Sequence, residues 1–499
     1  MTFTRLIGKR LDITTFHAKW LGIFWVLAGV ISTVGMITHS ASLFSHFELT
    51  PDFANFYQAT WLIAHGHLYP YDTLFPFNYP HYGFPYLDSH AEFFTWLLAP
   101  FVAIVPNGFV LLVLQDLAIG ASQVIAALWI HHLLRRFNPL IEVAAVGIFV
   151  FLNPWYYFSA FFDFHLEPFA MLFLLLTAWS YLNGRRRFTL IFALLVLSTG
   201  DVPSTYLVGL GPGMYLLDRS RNRSALLIAL VGAINALVDS IFHLSEASSV
   251  LQRYSYLAGP HGATSLGGLL AGVLTHPRIL IATLSHHLPL ALPYLLSGNL
   301  LGLLGPLGFF VTVPILGGPL LVQSSLFLSN FTAFQIVALE PLLAISGIGV
   351  YLWSKGQARR VWAIAATVGL FVSLGEALAT SYPSLVAAKD FNNTVSSSTA
   401  HTLNGILHSV PTSAEVISGN GTVGRFSDRR LVYSLITFQS ASVPIWSHFT
   451  YVIVVAGQGI ADPSPTEASV IARFLTHDHL HTEIILHQGA VSVFLIHST

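Results

Sequence analysis

Positions 20–38 read WLGIFWVLAGVISTVGMIT, with no charged side chain, and further apolar runs recur along the chain. Inside hydrocarbon there is no water to satisfy backbone N–H and C=O groups, so such a run has to close its hydrogen bonds on itself as a helix. About 20 residues cover the ~30 Å apolar layer. Hydrophobic residues fill 54% of the 499 positions and charged residues only 9%, beyond the roughly 45–50% apolar content of soluble domains. The expected fold class is an all-α polytopic membrane bundle.

Basic residues in short loops stay on the cytoplasmic side, which turns the apolar runs into a map. The first run follows Arg5, Lys9, Arg10 and Lys19 and leads outward. It is longer than a signal-peptide core and no small-residue cleavage site follows, so it reads as a retained span. Expected spans then lie at 109–134, 141–158, 168–182, 188–197, 206–217, 224–242, 279–297, 299–317, 331–353 and 361–380. They are interrupted by Arg135-Arg136, Arg185 to Arg187, Arg219/Arg221/Arg223 and Lys355/Arg359/Arg360. The map gives about eleven transmembrane helices in a plasma membrane, a cytoplasmic N-terminus and an outer loop at 39–108.

Past 384 the apolar runs shorten and Asn, Ser, Thr and His fill the gaps. Strand-like runs at 414–418, 451–455 and 490–496, with a helix-length segment at 465–475, predict a small extracytoplasmic α/β domain over 385–499. The segment KDFNNTVSSSTA at 389–400 reads as its linker. The membrane domain is expected to cover 1–384, first loop included.

A carboxylate at bilayer depth costs about 3 kcal/mol, so acidic groups gather where water or a polar ligand meets the protein. The first loop holds Asp52, Asp72, Asp88, Glu92 and His90. After Asp52, the residues Phe53, Phe56, Tyr57, Thr60, Trp61 and Ala64 recur at helical spacing. They predict an amphipathic helix lying in the interface plane, with Gln58 and Trp61 about two turns past the acid. Asp52 is then either a helix cap or a general base or metal ligand over the bundle mouth. Asp163, His165 and Glu167 stand within five residues at the outer start of the next inward span. An Asp–His pair there either caps a helix or orients an imidazole for a metal. Asp201, between two short spans, is a turn cap or lines an outer cavity. His286-His287 reads as a packed pair, and Glu340 lies within an expected span.

With no cysteine, disulfides and thiolate chemistry are excluded. A net charge of −1 gives no reason to expect a nucleic-acid partner. Walker A, dinucleotide-fold, HExxH and nucleophile-elbow patterns are missing from the sequence, which argues against an ATP-driven pump.

Asp52-x5-Gln58-x2-Trp61-x4-Gly66, His90 with the apolar run to Pro100, Gln115, and Phe162-Asp163-Phe164-His165 together resemble the predicted membrane proteins of domain-of-unknown-function family 2079. The segment ILHSVPTSAEVISGNGTVGRFSDRRLVYSL resembles that family's outer C-terminal part, so the resemblance covers most of the chain. Such proteins are thought to share the type C glycosyltransferase fold. The resemblance implies a polyprenyl-phosphate sugar donor, an outer-surface acceptor and a divalent cation (Mg, Mn or Zn). It makes Asp52 and Asp163 the catalytic acids, with Asp163, His165 and His90 as metal ligands. Gln58, Trp61, His90, Asp201 and Arg253 are then candidate substrate contacts, with Arg278, Arg425, Arg429 and Arg430 as further phosphate binders. The family pattern has Lys-Glu before the third acid, where this chain has Thr199-Gly200, so a basic residue is missing beside Asp201. Two rivals remain: a proton-coupled lipid or solute transporter using Asp201, Glu340 and the histidines, and a non-catalytic membrane scaffold.

Overall fold

A computed structural model describes residues 16–74, 84–88, 92–218, 220, 222–242, 254–260, 262–323, 336–354, 356–381, 395–435, 445–458, 462–476 and 480–498. The chain divides into two compact units. One gathers 1–34, 117–159 and 166–385; the other gathers 35–116, 160–165 and 386–499.

The first unit is helical. Among the described residues, five helices are long and apolar enough to cross a membrane: Lys19–Ser45, Phe109–Leu134, Pro139–Phe162, Pro277–Ser297 and Arg360–Ala379. The eleven expected spans are not confirmed by that count; several of the expected segments form shorter apolar helices. Arg186–Ser198 has 13 residues, about 20 Å at 1.5 Å per residue, against ~30 Å of hydrocarbon. The expected span at 299–317 is split into a 3₁₀ turn, Leu300–Leu304, and a helix, Pro306–Leu320. Of the expected span at 331–353, residues 331–335 lie outside the described residues and Glu340–Trp353 forms a 14-residue helix. A β-carbon at Gly209, in Asp201–Leu217, would collide with the Phe310 carbonyl, and one at Gly211 with Ala225 and Ala229. Small residues let these backbones approach closely where no water drives association.

The second unit is an α/β assembly around a five-stranded sheet. Its strands are β3 (Glu415–Ser418), β4 (Val432–Ser434), β5 (Phe449–Val455), β6 (Leu480–Gln488) and β7 (Val491–Ser498), in the order β4-β3-β5-β7-β6. β3 pairs parallel with β4 and β5, while β7 pairs antiparallel with β5 and β6. Three strands and the Pro465–Thr476 helix fall where the sequence put them. β4 and β6 were not foreseen. A small antiparallel pair, β1 (Tyr71–Asp72) and β2 (Phe84–Pro85), lies in the first loop.

The core of this unit mixes distant parts of the chain. Phe47, Ala54 and Leu74 are buried together with Leu403, Val416, Phe426, Val432, Ile453 and Val493. The 35–116 segment was expected to belong with the membrane domain, but its apolar side chains complete the core of the C-terminal sheet.

Candidate functional site

The helix Pro51–Ala64 positions the site. Thr50 is its N-cap, extended at φ −72° and ψ 171°, and its hydroxyl accepts from the Asp52 amide at 3.2 Å. Pro51 occupies the first helical position, where its missing N–H costs nothing. The sequence predicts one apolar face on this helix, and the burial found in the structure is not confined to one face. Phe53, Ala54, Phe56, Tyr57, Gln58, Ala59, Thr60, Leu62 and Ile63 are all buried, while Asp52, Asn55, Trp61 and Ala64 stay partly exposed, so most of the helix serves as a core element.

Asp163 meets the head of this helix. Its carboxylate is fully buried, and Oδ2 accepts from the Thr50 amide at 3.2 Å and the Thr50 hydroxyl at 2.5 Å. An anion at a helix N-terminus is favoured by the unpaired amides there. Burial nevertheless pushes the Asp163 acid well above the carboxylate range; the charge of Asp52 adds to the rise, and the Thr50 hydrogen bonds oppose it. Two acids from separate stretches of sequence are therefore tied to Thr50, Asp163 through its carboxylate and Asp52 through its amide, and lie within electrostatic range of one another. Asp52 is half-buried and Asp163 enclosed.

Gln115 fixes the Asp163–His165 loop. Its Nε2 donates to the Asp163 carbonyl at 2.8 Å, and its Oε1 accepts from the His165 amide at 2.6 Å. His165 Nδ1 lies 3.5 Å from Asp163 Oδ1. The imidazole sits among Phe56 and Phe162, and burial lowers it to about 3, so it is neutral at ordinary pH. The positioning parts played by Thr50 and Gln115 were missed from sequence. The signals were a Thr-Pro-Asp start and an amide within an apolar run.

The other candidates lie elsewhere. Gln58 is enclosed; its amide reaches the Thr73 hydroxyl at 2.8 Å and the Arg429 and Arg430 carbonyls at 3.3 and 3.0 Å. Trp61, three residues on, is half-buried and stacks on His65 at 4.1 Å. Asp201 opens the Asp201–Leu217 helix in the other unit, behind Gly200 at φ +144°. His90 and Arg253 lie outside the described residues. Arg425 donates to the Phe44 carbonyl at 2.7 Å and to Asn404 at 3.0 Å, and burial lowers it to about 10. Arg429 is buried, with Nε on the Phe426 carbonyl at 2.6 Å. Arg430 is exposed and donates to His67 Nε2 at 2.9 Å.

Among the described residues, no group of three or more acidic, histidine or cysteine side chains is arranged to hold a metal ion. Asp163 does offer Oδ1 beside a neutral imidazole, with Asp52 close enough to repel it. One or two carboxylates, completed by water and phosphate oxygens, is the usual way to hold Mg²⁺.

The model of a family described as predicted membrane protein (DUF2079) matches residues 45–456. No curated protein matches the chain.

Proposed function

The chain belongs to the DUF2079 family of predicted membrane proteins, and on that premise we propose that it transfers a sugar from a polyprenyl-phosphate donor to an acceptor hydroxyl at the outer membrane face. The observation that carries this reading is the juxtaposition of Asp52 and Asp163 at the head of one buried helix. A transferase of this class needs a base for the acceptor and a second acidic group to organise the donor phosphate.

In this reading Asp52, the more accessible acid, takes the acceptor proton; a positioned base of this kind contributes about 10²–10⁴-fold. Asp163 is held rigidly by Thr50, and its loop by Gln115, so the geometry is set before substrate arrives. Asp163 and His165 would hold a divalent cation, which when bound neutralises charge on the lipid phosphate; His90, the third ligand the resemblance implies, lies outside the described residues. Trp61 supplies a flat apolar face on the same helix.

The test is release of polyprenyl phosphate, followed by mass spectrometry, from purified protein in liposomes supplied with polyprenyl-phosphate sugars. Asp52→Asn is expected to cut release by at least about 100-fold while leaving the unfolding temperature unchanged. Equal rates for wild type and Asp52→Asn would remove the base assignment.

A further inference from the structure

A second cluster of buried acids lies in the helical unit, and the transferase reading does not use it. Glu340 opens the helix Glu340–Trp353, in which every residue from Glu340 to Gly349 is buried. Its Oε2 accepts from the Asn153 amide at 2.6 Å, and the same amide reaches the Ser297 carbonyl at 3.3 Å. Ser297, the last residue of Pro277–Ser297, bonds through its hydroxyl to Glu376 Oε2 at 2.6 Å and to the Pro293 carbonyl at 2.9 Å. The same hydroxyl accepts from Trp155 Nε1 at 3.1 Å. The carboxylates of Glu340 and Glu376 are close enough to interact electrostatically.

Three features separate this cluster from ordinary packing. The first is hydrogen-bond arithmetic. A hydroxyl carries one proton, so Ser297 donates either to Glu376 or to Pro293, not to both. If it donates to Pro293, the short contact with Glu376 requires a proton on the carboxyl. The second is Glu340 Oε1, buried with no hydrogen-bond partner, and the Tyr156 hydroxyl, equally buried and unbonded, within electrostatic range of it. An ionised carboxylate left that way inside a membrane bundle is expensive. The third is backbone geometry. Asn153 follows the π-helical turn Gly147–Phe151, and Glu376 immediately precedes the π-helical turn Ala377–Ser381. Such turns are rare and concentrate at functional sites.

We propose that Glu340, Ser297 and Glu376, with Asn153 and Tyr156, form a proton-binding site within the membrane-embedded unit. The bound proton resides on a carboxyl of the pair, and gain or loss of it switches the Ser297 hydroxyl between Pro293 and Glu376. The switch acts on the last turn of a helix already weakened by Pro289 and Pro293. The titratable groups within electrostatic range of Glu340 are Tyr156 from Pro154–Phe162 and Tyr294 from Pro277–Ser297, and Tyr157 lies in turn near Tyr156. The Gly147–Phe151 turn, the Leu300–Leu304 turn and the Pro306–Leu320 helix bring none.

Infrared difference spectroscopy of the purified full chain, titrated with acid and base, reads this directly. Beyond any band from Asp163, which an Asp163→Asn variant identifies, wild type is expected to show a protonated-carboxyl band at neutral pH that is unaffected by sodium. Glu340→Gln or Glu376→Gln should abolish it. Ser297→Ala, which keeps both acids and removes no charge, should shift its frequency, so the test survives if a Gln variant does not fold. Such a band left unchanged by Ser297→Ala and both Gln variants would overturn the proposal. So would the lack of any such band at neutral pH, or a band that disappears when sodium is added, which would make the site a sodium site.

Discussion

At the residue scale, one uncharged amide, Gln115, shapes the candidate site, and a second, Gln58, ties its helix to the 429–430 segment. An amide offers a donor and an acceptor together, so Gln115 can close on the Asp163 carbonyl and the His165 N–H at once. Gln115→Leu strands both backbone groups in a buried place, at about 1–3 kcal/mol each. The unfolding temperature in detergent should fall by several degrees, and Gln115→Glu, which keeps the acceptor but loses the donor, should recover only part of it. Gln58→Ala should cost a similar amount, because Thr73 and two carbonyls share that one side chain. His67 gives a pH signature. Burial first, and then the Arg430 charge, hold its imidazole below its ordinary value, so the folded state prefers it neutral. The contribution is complete above about 6.5 and is lost as pH falls through the lower folded value. Acidification should therefore release Arg430, raising its reactivity toward a guanidine-modifying reagent, and His67→Gln should abolish that pH dependence. Being mostly exposed, the contact should move overall stability little.

At the scale of elements, the helix Pro51–Ala64 shows how far periodicity reaches. The spacing of Phe53, Phe56, Tyr57, Thr60, Trp61 and Ala64 located the helix correctly. The same pattern was read as a surface stripe because the partners covering the other face lie more than 300 residues away, where no local pattern can register them. Gly424 is one such partner: a β-carbon there would come within 2.7 Å of Leu49 and 3.0 Å of Phe53. Gly424→Ala should destabilise the unit by about 1–3 kcal/mol, seen as faster hydrogen exchange over both 49–57 and 423–426. An effect confined to one segment would count against their packing together. Strand β4 escaped prediction for the same reason. Three residues carry no period, and Val432 to Ser434 become a strand only by pairing with β3.

At the scale of the whole molecule, apolar run length alone identified a helical membrane protein, and the breaks between helices were legible from Gly, Pro and Arg. The number of crossings was not fixed by run length, because helices of 13 to 17 residues satisfy a composition rule while falling short of the ~20 residues that cross the layer unaided. Nor was the division into units. A boundary near 385 is visible in composition, whereas the assignment of 35–116 and 160–165 to the second unit depends on contacts that sequence order conceals. Removal of 386–499 should therefore strip the covering from the Pro51–Ala64 helix. Limited proteolysis of such a truncated protein should cut within 46–74, a region expected to resist cleavage in the full chain. A truncation that leaves 46–74 protected would mean that the segment is stable without the sheet.

The shared core also sets an order on the making of the protein. Ala54 and Leu74 leave the ribosome roughly 400 residues before Val493, whose side chain completes their core. At about 5–20 residues per second that interval is on the order of 20–80 s. Throughout it the acidic head of the helix and its aromatic flanks exist without their cover. The nascent chain thus carries an adhesive, half-built surface early in synthesis, and release of the last two strands is the event that shields it.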